Sequence, residues 1–453
     1  MTTAERKLEP VTEKSESVYN KIFWLSYIAN AALVTAAALT FRFAELVAYL
    51  GGTEQIAGTV VGIGVLGALV ARLFLGQAMD HYGTRAMWIT SSVLFVVSCS
   101  MFLVCTELTW LLYAARAGFA VGAAGMFTSS IVHIQKQVPA HRRTEIIGNL
   151  GSSGFIGMIV GSQLGDWIFH AFPDGRPQFQ ALFGGTVVLS VFYLGMVIYL
   201  TRHDRHTRPR HTFPAHRLLF RYWPGNVLLV AVMMGVGLTV TTVFLTRYAT
   251  SMNMKNAVGT FFTGYAISAF IVRVSTRHWS RTYGRHRMIL IGLAGHALGH
   301  CLLPLVRTEW QFLLPAVVCG LGHALLFPAV ISKGAGAFPR QFRGSGTTLV
   351  LGFVDLGTAI SAPILGTIID VFGFTELFLT SAMIAIVIAV FYGLTTARVP
   401  DTDVVPLADA VHAGRKRKRV SPVSQPHVEG DEQSEEIPED ALPVPFPQIG
   451  RNV

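Results

Sequence analysis

The sequence predicts an all-α membrane protein with twelve transmembrane helices in two six-helix pseudo-repeats. Three observations carry this reading. Hydrophobic residues fill 51% of the 453 positions and charged residues only 14%, against about 25% charged in soluble domains. Mean hydropathy is +0.49. The apolar residues gather in twelve runs, the last six repeating features of the first six. An ordinary soluble enzyme could not present such a surface to water.

A hydrocarbon core about 30 Å thick takes roughly 20 apolar residues per helix. Residues 1–21 are polar, with four acids and four bases, and read as an N-terminal cytoplasmic segment. The first apolar run is too long for a signal peptide and shows no cleavage site. Runs at 22–48, 56–78, 86–106, 109–133, 146–170 and 181–200 make a first bundle over 22–200. Runs at 225–247, 257–276, 288–306, 311–333, 344–370 and 376–397 make a second over 225–398.

Between the bundles, 201–224 is a basic cytoplasmic linker with His203, His206, His211 and His216. Their spacing matches no metal-ligand motif, so a solvated linker is the favoured reading over a metal site. Residues 399–453 are polar and proline-rich, with a basic run at 415–419 and an acidic cluster from Glu429 to Asp440. Such a composition cannot bury a core and predicts a disordered cytoplasmic tail. Its basic run suits a solvated tail, an import signal or a lipid-headgroup contact. Cys99, Cys105, Cys301 and Cys319 lie in apolar runs without a CxxC and read as small core hydrophobes.

The net charge of +10 reports topology rather than nucleic acid. With both termini cytoplasmic, inside segments carry 28 basic residues and outside loops only Arg176, Arg247, Lys255 and Arg307, as the positive-inside rule requires. The halves also repeat. Arg72, Tyr82, Gly83 and Met87 recur 201 positions later as Arg273, Tyr283, Gly284 and Met288. Trp110, Gly122, Phe127, Pro139, Arg143 and Gly157 recur 200 positions later as Trp310, Gly322, Phe327, Pro339, Arg343 and Gly357. Six helices separate the copies, so both halves share one orientation, and a site is expected at their interface near mid-membrane.

The turn after the second helix reads Gly76-Gln-Ala-Met-Asp80-His-Tyr-Gly83-Thr-Arg85. Here the sequence resembles the major facilitator superfamily, whose signature in this loop is G-x-x-x-D-x-x-G-x-R. The likeness covers about residues 20–398. Gly76 would let a neighbouring helix come close, and Gly83 would give the tight turn its backbone freedom. Asp80 is placed to meet a helix N-terminus, where a carboxylate gains about 0.3–1 kcal/mol. The resemblance implies a conformational latch of Gly76, Asp80, Gly83 and Arg85 on the cytoplasmic side, closing on the start of helix eleven near Gly344, with Arg143 nearby. In the second copy Arg277 and Arg281 hold the glycine and acid positions, so no second acidic latch is expected.

Arg116 in helix four, followed by small residues, resembles the family's second motif and is by that resemblance linked to proton coupling. An arginine within a span costs about 2.5–3.5 kcal/mol on the insertion scale and needs a partner, a wet cavity or a path to snorkel. Helix five carries Gly148, Gly151, Gly154, Gly157, Gly161 and Gly165, a close-packing face. Gly161 is followed by Ser162 rather than proline, so the family's antiporter motif is incomplete.

His323 in helix ten and Asp355 in helix eleven lie near mid-membrane. An unpaired carboxylate there, or the histidine, could carry a proton; the competing reading is a polar pair joining two helices. His296 and His300 share a face of helix nine and read as packing. Asp166 and Asp370, near outer helix ends, read as wetted. Arg42 and Glu45 are spaced to pair. Arg116, His323, Asp355, Arg72, Arg273 and Asn30 are therefore the candidates for coupling and substrate contact.

The reading is a secondary active transporter, not an enzyme, moving a small molecule by alternating access. No cofactor or metal is called for, and no GxxxxGK[ST] loop occurs, so protons are the expected drive. Resemblance of helices eight to eleven to drug- and sugar-efflux members favours export. Uptake of a small organic anion is the runner-up, since Arg72, Arg116 and Arg273 face few intramembrane acids. A transporter-like sensor or scaffold acting through its tail is a third reading. The expected setting is a multi-pass monomer in the cell's plasma or inner membrane, with the lipid bilayer, substrate and protons as its partners and no nucleic acid.

Overall fold

The computed structural model describes residues 20–136, 143–204, 219–276, 279–338 and 343–396. Twelve long helices account for nearly all of them. They are α1 (Lys21–Tyr49), α2 (Glu54–Tyr82), α3 (Thr84–Val104), α4 (Trp110–Lys136), α5 (Arg143–Ala171) and α6 (Arg176–Leu200). The second half holds α7 (Val227–Ser251), α8 (Ala257–Ser275), α9 (Arg285–Leu302), α10 (Leu313–Gly336), α11 (Arg343–Phe372) and α12 (Phe374–Thr396). Even-numbered crossing puts both chain ends on one face, here the terminal face; the opposite face is distal. The linker histidines beyond His203, the tail, Arg277, and the side chains of Asp80, Arg143 and Arg281 lie outside the described residues, as does the surrounding of Gly344.

Eleven of the twelve are long and apolar enough to cross a membrane; α5 is the exception. Its 29 residues include six glycines together with Ser152, Ser153, Ser162, Gln163 and Asp166. That composition fits a helix whose glycine-rich and polar face is covered by its neighbours, while Ile156, Val160 and Trp167 stay exposed. On one side α5 packs on α1, where a Cβ on Gly157 would lie 2.5 Å from the Ala31 carbonyl oxygen, and on the other it meets α8. Lipid-facing positions elsewhere are apolar: Val188, Val191 and Phe192 on α6, and Met383, Val387 and Leu394 on α12, are exposed.

Within the first half α1 packs on α5 and α6, and α4 on α2 and α3; in the second, α7 packs on α11, and α10 on α8 and α9. Two extensive contacts cross between halves, α2 against α11 and α5 against α8, with a smaller one between the distal ends of α1 and α7. The repeat is visible in the backbone. Gly83 has φ 89° and ψ 153°, Gly284 has φ 83° and ψ 154°, and each immediately precedes the first residue of a helix, α3 and α9. A side chain would be strained at such positive φ, which meets the sequence expectation for Gly83.

The α1 and α7 helices break regularity at corresponding depths. In α1 a 3-10 turn spans Thr40–Arg42, and in α7 a π-turn spans Val240–Phe244. Such irregular turns inside long helices accompany functional sites. Both sit at the level where the halves meet on the distal side.

Candidate functional site

The charged side chains inside the bundle fall into three layers. In the distal layer, Arg42 donates to both Glu45 oxygens at 2.9 and 3.0 Å and to Asp166 at 2.5 Å. All three are 3–4% exposed. The spacing of Arg42 and Glu45 foretold their pairing. Asp166 is a correction: it is not wetted but buried, and it also accepts from the Gly259 backbone N–H of α8 at 2.6 Å.

Further bonds at this level cross the seam. Thr250 donates to Glu45 at 2.8 Å, and Arg247 to Glu54 at 2.6 Å. Asp370 accepts from the Glu54 and Gln55 amides at 3.0 and 2.8 Å, capping the free donors at the start of α2. Asp370 itself is exposed, as its position suggested. The Phe41 and Phe262 rings also meet across the seam, tilted, with centroids 4.6 Å apart. The halves are thus closed against each other on the distal side. Outside the closure lies a cleft of about 560 Å³ lined by Glu45, His170, Asp174, Arg247, Thr250 and Lys255, among others.

Arg116 lies one layer further in. Its guanidinium stacks over Phe43 and Phe119 at 4.7 and 4.9 Å, and its Nε and Nη1 make no hydrogen bond. Two aromatic faces take the place of the partner it was expected to need. Asn30, a substrate candidate from sequence, is 5% exposed and donates to Ser153 at 2.7 Å, which ties α1 to α5.

The middle layer carries the largest departure from expectation. Asp355 is not an unpaired carboxylate, and its partner is not His323. It accepts from Arg72 Nε at 2.5 Å, across the α2–α11 contact. Arg72 is correspondingly not a free cation. His323 stacks on Phe327 at 5.6 Å and lies 5.8 Å from the Tyr265 ring of α8. Arg273 reaches from α8 toward α5, its guanidinium 5.0 Å from the Phe155 ring centroid and 5.7 Å from that of Phe327.

Three further placements complete the comparison with sequence. His300 shares a hydrogen bond with Ser381 at 3.0 Å and its ring lies 5.7 Å from that of His296, consistent with packing between α9 and α12. On the terminal face Arg85 donates to the Arg202 carbonyl at 3.4 Å. A Cβ on Gly76 would meet nothing within 4 Å among the described residues. No described residue makes the close approach expected at Gly76, and the start of helix eleven near Gly344 lies outside the described residues. Sequence reasoning missed the Asp166 and Arg247 contacts. Their partners lie 124 and 193 residues away, and no local spacing signals them.

Two helical bundles, joined along α2–α11 and α5–α8 around buried charges, define a multi-pass membrane transporter. The model of the Major Facilitator Superfamily matches residues 23–280 and 227–427. The chain belongs to the major facilitator superfamily. It is similar to an MFS-type transporter of Burkholderia mallei (strain SAVP1), 23% identical over 352 residues, covering 74% of this chain and 82% of that one. An MFS-type transporter of Pseudomonas aeruginosa (strain LESB58) is 31% identical over 172 residues, 38% of this chain and 42% of that one. Among solved structures, the nucleoside transporter NupG superposes with TM-score 0.66 at 13% identity over 84% of this chain and 100% of that one. A POT family transporter in complex with 5-aminolevulinic acid superposes with TM-score 0.65 at 14% identity, over 83% and 95%. These likenesses establish the fold; like the family, the protein is a transporter and not an enzyme.

Proposed function

We propose that this transporter moves a small molecule by alternating access and couples the movement to protons through the Arg72–Asp355 pair. The observation that supports it is the ion pair itself, 2.5 Å long, half-buried and spanning the two halves. Charge neutralisation of Asp355 by a proton would remove the attraction between α2 and α11 midway along the seam. The halves could then separate on one face as they close on the other. A proton taken up in one state and released in the other is the requirement for coupling. The distal closure around Arg42, Glu54 and Asp166 supplies one of the two closed arrangements such a cycle needs.

Export is the direction we propose, on the resemblance of helices eight to eleven to efflux members, with both termini in the cytoplasm and the bundle in the plasma or inner membrane. A second reading, uptake of a small organic anion, is favoured by Arg116 and Arg273, neither of which meets a carboxylate among the described residues. The test is substrate-induced proton movement in vesicles of known orientation, with lipophilic cations, sugars and organic acids as the panel. Collapse of the pH gradient by one class supports coupling. Its orientation dependence gives the direction, and flux indifferent to the gradient removes the coupling.

A further inference from the structure

The twofold relation between the halves breaks at the seam. Arg72 and Arg273 are repeat partners at an offset of 201, and Asp355 and Phe155 at an offset of 200. The crossing itself is kept. Arg72 reaches from α2 of the first half to Asp355 on α11 of the second. Arg273 reaches from α8 of the second half to α5 of the first, lying over Phe155, with Nη1 3.8 Å from where a Cβ on Gly151 would sit. One arginine has a carboxylate in front of it and its counterpart has a phenyl ring.

Arg273 makes no hydrogen bond or ion pair among the described residues, and its Nε is buried without a partner. Its neighbours are the rings of Phe155 and Phe327, with Tyr265 and His323 within electrostatic reach. An aromatic face holds a cation less strongly than a carboxylate does, and the planar guanidinium fork matches a carboxylate in two parallel hydrogen bonds. Arg116 is different, because the two rings over it, Phe43 and Phe119, both belong to its own half.

We propose that Arg273 binds the substrate's anionic group, and that the transported molecule is a small organic acid. Its carboxylate takes up on Arg273 the position that Asp355 holds on Arg72. Its apolar or aromatic body lies against Phe155 and Phe327. The symmetric pair stays internal on one side of the seam, and on the other the substrate completes it. This assignment rests on the transport reading and narrows it to a substrate class.

The experiment uses the full chain in lipid nanodiscs, with benzoate, phenyl phosphate, neutral benzamide and cationic benzyltrimethylammonium as probes. Benzoate or phenyl phosphate is expected to raise the melting temperature and benzamide to leave it unchanged, the pair of anions separating a carboxylate from a phosphate preference. Arg273→Gln should weaken the effective anion by about 30-fold or more, as loss of one partner of a desolvated charge pair does. Phe155→Asp should do the same by supplying an internal carboxylate, and should cost stability in the Arg273→Gln background but not in the wild type. Equal shifts with benzoate and benzamide, unchanged anion binding in Arg273→Gln, or no response to either anion would overturn the proposal. Flux of benzyltrimethylammonium in liposomes with no anion response would sink only the substrate class. Folded protein that moves none of the probes would count against the transport reading itself.

Discussion

Arg72 on α2 and Asp355 on α11 meet at 2.5 Å, with 12% and 19% of their side chains exposed, and this contact joins the two halves midway along the seam. The residues are 283 positions apart, so the pair exists only once both bundles have formed and docked. Each charge makes the other tolerable in a low-dielectric setting, and loss of either leaves its partner uncompensated.

Asp355→Asn is therefore expected to abolish proton-coupled movement, with flux falling at least about tenfold, equivalent to roughly 1.4 kcal/mol on the barrier. Insertion and folding should persist. Arg72→Gln together with Asp355→Asn should recover the thermal stability lost by either single change without recovering coupling. Pyranine-loaded proteoliposomes measure the proton flux, and a melting curve in detergent measures stability. Wild-type pH dependence in Asp355→Asn would reduce the pair to a structural bridge.

The distal closure makes a second prediction, because its three ion pairs differ in burial. Arg42 sits between Glu45 and Asp166 with all three nearly sealed from solvent. Arg42→Met would leave two carboxylates buried together, at a cost of about 3–5 kcal/mol, and should lower the melting temperature sharply. Arg247 is more exposed, and Arg247→Gln should cost no more than about 1 kcal/mol. Its effect should appear instead in the conformational balance. A cysteine placed at Ala48, which lines the distal cleft, should react faster with an impermeant thiol reagent in the Arg247→Gln background. Unchanged labelling would show that Glu54–Arg247 does not hold the distal face closed.

The parts of this arrangement that were legible in the sequence are local or periodic. Twelve apolar runs gave twelve helices, because in a bilayer the length of an apolar run nearly dictates a span. The run at 146–170 reads as a span like the others, although among the described residues α5 is less apolar than the rest, with glycines turned to α1 and Asp166 bonded to α1 and α8. Gly83 and Gly284 could be matched by offset, and the Arg42–Glu45 pair by helical spacing. What escaped was every contact between halves. Asp166, near a helix end, carries no sign in its neighbourhood that Arg42 and the Gly259 amide converge on it. Asp355 looked unpaired for the same reason. Arg72 was visible as a cation in a span, and only docking of the bundles shows which acid it serves.

The tail offers a test between transporter and scaffold. Residues 401–453 carry ten acids and six bases with many prolines, a composition that cannot contribute a packed core. A chain ending at residue 400 should keep its substrate flux within about twofold, since terminal segments of this kind tolerate removal. Flux and expression level measured together in vesicles decide the matter. Loss of all activity, with the shortened protein still inserted and folded, would favour the scaffold reading.

Glycine contacts separate closure from stability. A Cβ on Gly58 of α2 would collide with the Ala362 carbonyl of α11, and one on Gly357 of α11 with the Val232 carbonyl of α7. The first contact lies between the halves, near the distal end of the seam. The second lies within the second half. A collision between halves can be relieved by letting them part, whereas a collision inside one bundle has no such escape and must be absorbed as strain, typically about 1–3 kcal/mol or more. Gly58→Val should therefore leave the melting temperature nearly unchanged, raise distal thiol labelling and stop the transport cycle by excluding the distally closed state. Gly357→Val should lower the melting temperature and leave labelling as in the wild type. If Gly58→Val transports normally, α2 and α11 are not required to come this close during the cycle. The distal contact would then be a resting arrangement rather than an obligatory step.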